Sequence, residues 1–169
     1  MNIRKIIKEE LFKEVGGYDS QNVMNLHAGV VMSNLSNAYN GLTNTLEGLA
    51  NAIMDNYSKS DIVTFLTEVS EEIDLFISVV KIAIADFTED DLILKAKDTI
   101  KQLESFNKKI DVIFNFSDAM GGEEEFIDRV KMLLMDLIPY VQKFGEQLQI
   151  TNKLFSSRDS NHKGTFGFN

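Results

Sequence analysis

This sequence predicts an all-α fold: an elongated antiparallel four-helix bundle, preceded by a short N-terminal amphipathic helix and followed by an irregular C-terminal tail. Three observations carry the prediction. The 169 residues contain a single proline, so almost nothing deletes a backbone donor from a helix. Apolar residues recur at three- and four-residue steps through four long segments, the spacing that keeps one helix face on a neighbour. Between those segments stand short clusters of Gly, Ser, Thr or consecutive acids, which stop one helix and cap the next. The β-branched runs fall inside these helical periods, so no strand is predicted.

Three regions follow from the pattern. Residues 1–19 form an amphipathic arm and a Gly-Gly hinge, 20–155 the bundle, and 156–169 a polar tail. In the arm Ile3, Ile6, Ile7 and Leu11 share one side, while Lys5, Lys8, Glu9 and Lys13 lie mostly elsewhere. Gly16-Gly17 ends it, because glycine accepts the left-handed conformation that closes a helix.

The first long helix spans 20–57. Its seam is Met24, Ala28, Val31, Leu35, Ala38, Leu42, Thr45, Leu49 and Ala52, widened by Leu46 and Ile53. At about 1.5 Å per residue it reaches roughly 55 Å. Ser58 or Ser60 caps the second, which runs to about residue 87 with Ile62, Leu66, Val69, Ile73, Phe76, Val80 and Ile84 inward and Glu68, Glu71, Glu72 and Asp74 outward. Thr88 followed by Glu89, Asp90 and Asp91 opens the third, since a hydroxyl cap and carboxylates suit the positive end of a helix. Its core positions are Ile93, Ala96, Ile100, Leu103, Phe106, Ile110 and Ile113, and it stops at Met120-Gly121-Gly122. Glu123-Glu124-Glu125 repeats the start signal for the fourth, with Phe126, Val130, Leu133, Leu137, Val141, Phe144 and Leu148 inward. Pro139 predicts a bend between Met135 and Tyr140, after which the helix resumes to about Phe155. The tail beyond is polar until Phe166 and Phe168.

Composition narrows the function. A formal net charge of −9 and a pI near 4.7 oppose attraction to nucleic acid or anionic lipid, which relies on clustered Lys and Arg. The absence of cysteine removes disulfides, thiolate nucleophiles and Cys-based metal sites. Met1 to Val15 alternates Lys and Glu through its apolar residues, unlike a secretory signal, and no run approaches the ~18 apolar residues of a membrane span. The expectation is a soluble protein, neither secreted by a signal peptide nor transmembrane.

No chemistry-bearing motif emerges. A di-iron bundle needs inward Glu and Glu-x-x-His pairs, and neither His27 nor His162 has Glu three residues before it. The acidic triplets lack the loop spacing of a calcium site and read as helix starts. No catalytic, cofactor-binding or metal-ligating residue is therefore predicted, and the reading is non-enzymatic.

The informative feature is the outer face of the first long helix. Across 20–57 only Glu47 and Asp55 are ionised, and eight of the chain's fourteen Asn fall there. Taken at about 100° per residue, Asn22, Gly29, Ser33, Ser36, Asn37, Asn40, Asn44, Gly48 and Asn51 lie opposite the seam, with Leu26 and Val30 toward the same side. Small uncharged polar residues let another chain approach closely, whereas Lys and Glu would impose desolvation at an interface centre. AT-rich coding would also supply Asn, but the other three long helices use abundant Lys, Glu and Asp. The strip reads as an interaction face. The arm, through Ile3, Ile7 and Leu11, and the tail, through Phe166 and Phe168, are further attachment points.

The opening Ile3-Arg4-Lys5-Ile6-Ile7-Lys8-Glu9-Glu10-Leu11-Phe12-Lys13-Glu14-Val15 resembles the starts of small proteins of tailed bacteriophages, which begin with an IIKEEL-like amphipathic helix. The resemblance covers about fifteen residues. It implies a virion component, or an accessory protein in the cytoplasm of an infected bacterium, and transfers no catalytic residue. The predicted function is a structural or adaptor protein that holds other subunits, its own copies or other virion or host proteins. The alternative is an acidic regulatory binder that blocks a host protein through Glu68, Glu71 and Glu72.

Overall fold

In a computed structural model, residues 20–85, 90–118 and 122–163 are described, with side chains described for 29–85, 90–116 and 122–148. Four α-helices account for nearly all of them: α1, Ser20–Met54; α2, Lys59–Ile84; α3, Asp90–Asp118; and α4, Glu123–Lys163. The arm, with Ile3, Ile7, Leu11 and Gly16-Gly17, lies outside the described residues, as do residues 86–89, 119–121 and 164–169.

Helix ends follow local chemistry. Asn56 adopts φ 55°, and around it the Tyr57 amide donates to the Ala52 carbonyl (2.9 Å) and the Asn56 amide to that of Ile53 (3.3 Å). This pair of bonds is a Schellman closure, with Asn in the left-handed position that usually takes Gly. Two residues later Ser58 caps α2: its hydroxyl accepts from the Asp61 amide and donates to the Asp61 carboxylate at 2.6 Å. Asp90 and Asp91 occupy the first turn of α3, and the three glutamates the first turn of α4, where carboxylates offset the helix dipole.

The helices form a closed ring in chain order, α1 on α2, α2 on α3, α3 on α4 and α4 on α1, with α2 and α4 touching across the diagonal. Contacts fix their directions. Gly41 of α1 lies against Glu72 and Gly48 against Phe65, so seven residues forward on α1 are seven backward on α2. Phe106 meets Tyr140 and Phe116 meets Arg129, so α3 and α4 also run opposite ways. The diagonal pair is parallel: Lys59 lies over Phe126 and Phe76 packs edge-on against Phe144 at 4.9 Å. This is the up-down-up-down bundle that short connections favour.

One hydrophobic cluster runs through all four helices. Leu42 and Leu49 of α1, Leu66 and Ile73 of α2, Leu103 and Ile110 of α3, and Phe126 and Leu137 of α4 are wholly buried, each contributing roughly 1.5–3 kcal/mol relative to exposure. Of the predicted seams, Thr45, Ile53, Ile84, Ile93 and Phe144 are only half-buried, while Met32, Ile77, Ala83 and Leu134 join the core. The side chains of Met24 and Ala28 lie outside the described set.

Helix α4 departs from expectation at its end. It continues to Lys163, eight residues past Phe155, through the segment expected to be irregular. Ser156 to Lys163 is polar but contains neither Gly nor Pro. Polarity alone does not break a helix, and the first residue with a strong stop tendency is Gly164. Pro139 sits inside α4, which is one uninterrupted element. The residue whose carbonyl loses its donor, Met135, is 75% exposed, so water can replace the lost bond.

Candidate functional site

Helix α1 is held by shape. Its α2-facing flank uses the small residues Ala38, Gly41 and Gly48, so that neighbour comes close. Gly145 of α4 is buried, and the Tyr39 ring occupies the space a side chain there would need. On the other flank the Glu72 carboxylate lies over Gly41, where a Cβ would sit 2.6 Å from its Oε2. Gly48, expected on the outer strip, instead faces Phe65 of α2, and Ser36 is half-buried. The α2 contact is wider than the seam alone indicates.

The remaining strip is exposed. Val30, at 52% exposure, and Ser33, Asn37, Asn40, Asn44 and Asn51 all face outward, together with Asn34, Glu47 and Met54. Leu26 belongs to α1, but its side chain lies outside the described set, as do those of Asn22 and His27; Phe166, Phe168 and His162 are likewise not placed. The structure thus brings six of the predicted interaction residues to one face.

It also adds residues that sequence reasoning missed. Beside Asn34 and Asn37 runs a groove of about 320 Å³, floored by Ala38 and Gly41 and walled on the α2 side by Glu72, Leu75 and Val79. Leu75 and Ile82 are 51% and 66% exposed. With Val79 they make a four-then-three apolar ridge on the polar side of α2. That spacing is visible in the sequence, but its place beside the Asn strip depends on the α1–α2 register.

Charge is distributed unevenly around the ring. Ion pairs cross from α2 to α3, Lys81 with Glu104 (3.5 Å), and from α3 to α4, Lys109 with Asp136 (3.1 Å). A polar clasp adds to the first contact, with Asn107 donating to the Asp74 carboxylate at 2.7 Å and Ser70 donating to Asn107. The α1 outer face contributes one carboxylate, Glu47, over its described helical length. The acids of α2 form a separate exposed stripe through Glu68, Glu71 and Asp74.

Other polar groups serve packing. The Arg129 guanidinium lies 3.8 Å from the Phe116 ring centre and pairs with Glu125 at 3.1 Å. Burial pushes the Tyr140 phenol above its ordinary pKa of 10.0, against a hydrogen bond with Thr99 that lowers it, and the Asp98 charge raises it further. Among the described residues, no three His, Cys, Asp or Glu side chains converge as a metal site, and no helix is long and apolar enough to cross a membrane. The chain matches no protein-family model, and neither a curated protein nor a solved structure is significantly similar to it.

Proposed function

We propose that this protein is a non-enzymatic structural or adaptor component that binds other protein subunits through the outer face of α1, in a bacteriophage particle or an infected bacterium as the opening residues suggest. One observation carries the reading: the exposed face of α1 is built from residues that weaken the helix. Asn34, Asn37, Asn40, Asn44 and Asn51 are all exposed within it, and Asn costs about 0.4 kcal/mol more than Lys at such a position. Over five positions the forgone stability is about 2 kcal/mol, a sizeable part of the ~5–15 kcal/mol that holds a domain together. Packing does not demand Asn there, because these side chains point away from the core. A surface that must lose its water against another protein does favour uncharged residues.

The test is the solution mass of the full-length protein by size-exclusion chromatography with light scattering, beside the variant Asn37→Lys/Asn40→Lys/Asn44→Lys. A wild-type mass above the 19.1 kDa chain that falls to the single chain in the variant supports self-association through this face. Three unpaired ammonium groups in an interface each cost several kcal/mol, so association weakens by at least about a hundredfold, while helicity is kept or rises. An oligomer untouched by the three lysines rules this face out as its interface; a wild-type monomer directs the search to a different subunit. The exposed acids of α2 favour a second reading, an inhibitor of a basic host protein. It predicts a salt-sensitive complex abolished by Lys at Glu68, Glu71 and Glu72.

A further inference from the structure

We infer that the groove between α1 and α2 receives the outer face of α3 from a second copy of this chain. The inference rests on the reading of the α1 face as a binding surface, and it names what meets that surface. Two helix edges carry it. On α2, Leu75, Glu72, Glu68 and Asp61 succeed one another at steps of 3, 4 and 7 residues, counted toward the helix start. Glu72 lies over Gly41 of α1 and Leu75 stands in the groove wall, and at about 100° per residue Glu68 and Asp61 continue that edge. On α3, Leu94, Lys97, Lys101 and Lys108 succeed one another at the same steps, counted toward the helix end. All four are exposed, Leu94 at 62%, and they share the side opposite the buried Ala96, Leu103 and Ile110.

Laid antiparallel with Leu94 on Leu75, the two edges bring Lys97 to Glu72, Lys101 to Glu68 and Lys108 to Asp61 over about 21 Å. Charge selects this occupant. No described residue forms an ion pair with Glu72, Glu68, Lys97, Lys101 or Lys108 within the chain. The lysines of α2 are turned to other helices, Lys59 over Phe126 and Lys81 on Glu104, and α1 has no Lys or Arg. The positive charge the groove lacks therefore comes from a partner, and the α3 stripe offers it at the matching interval. Asp98 and Glu104 lie on the flanks of that stripe, and Glu104 is already held by Lys81. The α1 side of the groove, with Asn34, Asn37 and Gly41, is small and uncharged and admits a third helix without stranding a charge. Helix α3 packs on α2 and α4 with the stripe outward, so one chain does not fill its own groove. Because the two surfaces differ, the contact is head-to-tail, and each copy keeps a free groove or stripe for the next.

Charge reversal in the full-length chain, followed by light scattering over a range of protein concentrations, tests the pairing. The wild type should grow past the dimer as concentration rises and return toward the 19.1 kDa chain in about 0.5 M NaCl, where a Debye length of roughly 4 Å screens exposed charges. Glu68→Lys/Glu72→Lys and Lys97→Glu/Lys101→Glu should each weaken association at least about tenfold, because like charges then face one another. Mixed together, or combined in one chain, the two reversals should restore it, since a reversed groove then meets a reversed stripe. Weakening without that rescue overturns the pairing. A wild type that stays a single chain at every concentration overturns it too, and gives the groove to a different protein while the α1 reading stands. Should Glu72→Lys cost helicity, Glu68→Lys with Lys101→Glu puts the same question at two exposed positions. An oligomer that the three lysines on α1 dissociate but the reversals leave intact sinks this pairing alone; one that the lysines leave intact as well sinks the α1 reading with it.

Discussion

Gly145 to Ala should change the sign of its effect when Tyr39 is removed. In an ordinary helix interior the exchange gains about 1 kcal/mol, because Ala restricts the unfolded chain and packs where Gly cannot. Here the added methyl would overlap the hydroxyl and two ring carbons of Tyr39, so the ring must leave its seat between α1 and α4. Overpacking of that kind costs typically 1–3 kcal/mol, and the net result is a loss of about 1 kcal/mol. In a Tyr39→Ala background the obstruction is gone and the same substitution should stabilise by up to about 1 kcal/mol. Urea unfolding followed by circular dichroism reads both, with a midpoint shift of about 0.5 M for each kcal/mol at a typical slope. The double-mutant cycle isolates the contact. An equal effect in both backgrounds would refute the seating of Tyr39 on Gly145, and with it the contact by which α4 closes the ring onto α1.

Two further outcomes follow from single side chains. Ser58→Ala removes the hydroxyl that accepts from the Asp61 amide and should lower stability by about 1 kcal/mol, read as a shift in unfolding midpoint with unchanged slope. Tyr140→Phe should flatten the loss of stability in alkali: the folded phenol titrates above 10.0, so below that pH both states are neutral, and as pH rises past it the unfolded chain ionises first and folding weakens. Unfolding curves at rising pH check this, and an unchanged alkaline slope in the Phe variant would assign the loss to other groups.

Much of this bundle is legible in the sequence because a helix writes its buried face at fixed spacing. Leu35, Leu42 and Leu49, or Leu103, Phe106 and Ile110, are found by periodicity alone, and their burial follows from the period. Helix ends are legible where side chains meet backbone, as at Ser58. What periodicity does not contain is the register of one helix against the next. Nothing in the spacing of α1 says that Tyr39 meets a glycine more than a hundred residues away, or that Gly48 faces Phe65 instead of solvent. The same gap hid the Leu75–Val79–Ile82 ridge, which reads as three stray apolar residues until α2 is set beside the Asn strip. The end of α4 was obscured differently, since a polar segment resembles a loop in composition while retaining the capacity to form backbone hydrogen bonds.

The distribution of charge bears on why the α1 face is a candidate at all. Helices α2, α3 and α4 carry Lys, Glu or Asp at many of their exposed positions, and ion pairs such as Lys81–Glu104 and Lys109–Asp136 cross between them. Such exposed pairs contribute little each, about 0–1 kcal/mol, so the fold does not depend on them. Their value is solvation, for charged side chains keep a helix surface wet and discourage association. Helix α1 is attached through Tyr39, Gly41 beneath the Glu72 carboxylate, Gly48 and its leucines, and its outer face has none of that protection over Asn34 to Asn44. If coding bias alone had produced the asparagines, they would replace Lys and Glu on every helix to a similar extent, yet α3 has only Asn107 and Asn115 among a dense set of charges. The asymmetry therefore belongs to one face of one helix, and the proposed subunit contact would account for it as a selective pressure on that face. Binding would supply such a pressure, because the asparagines that weaken α1 in isolation cost less to dehydrate against a partner than Lys or Glu would.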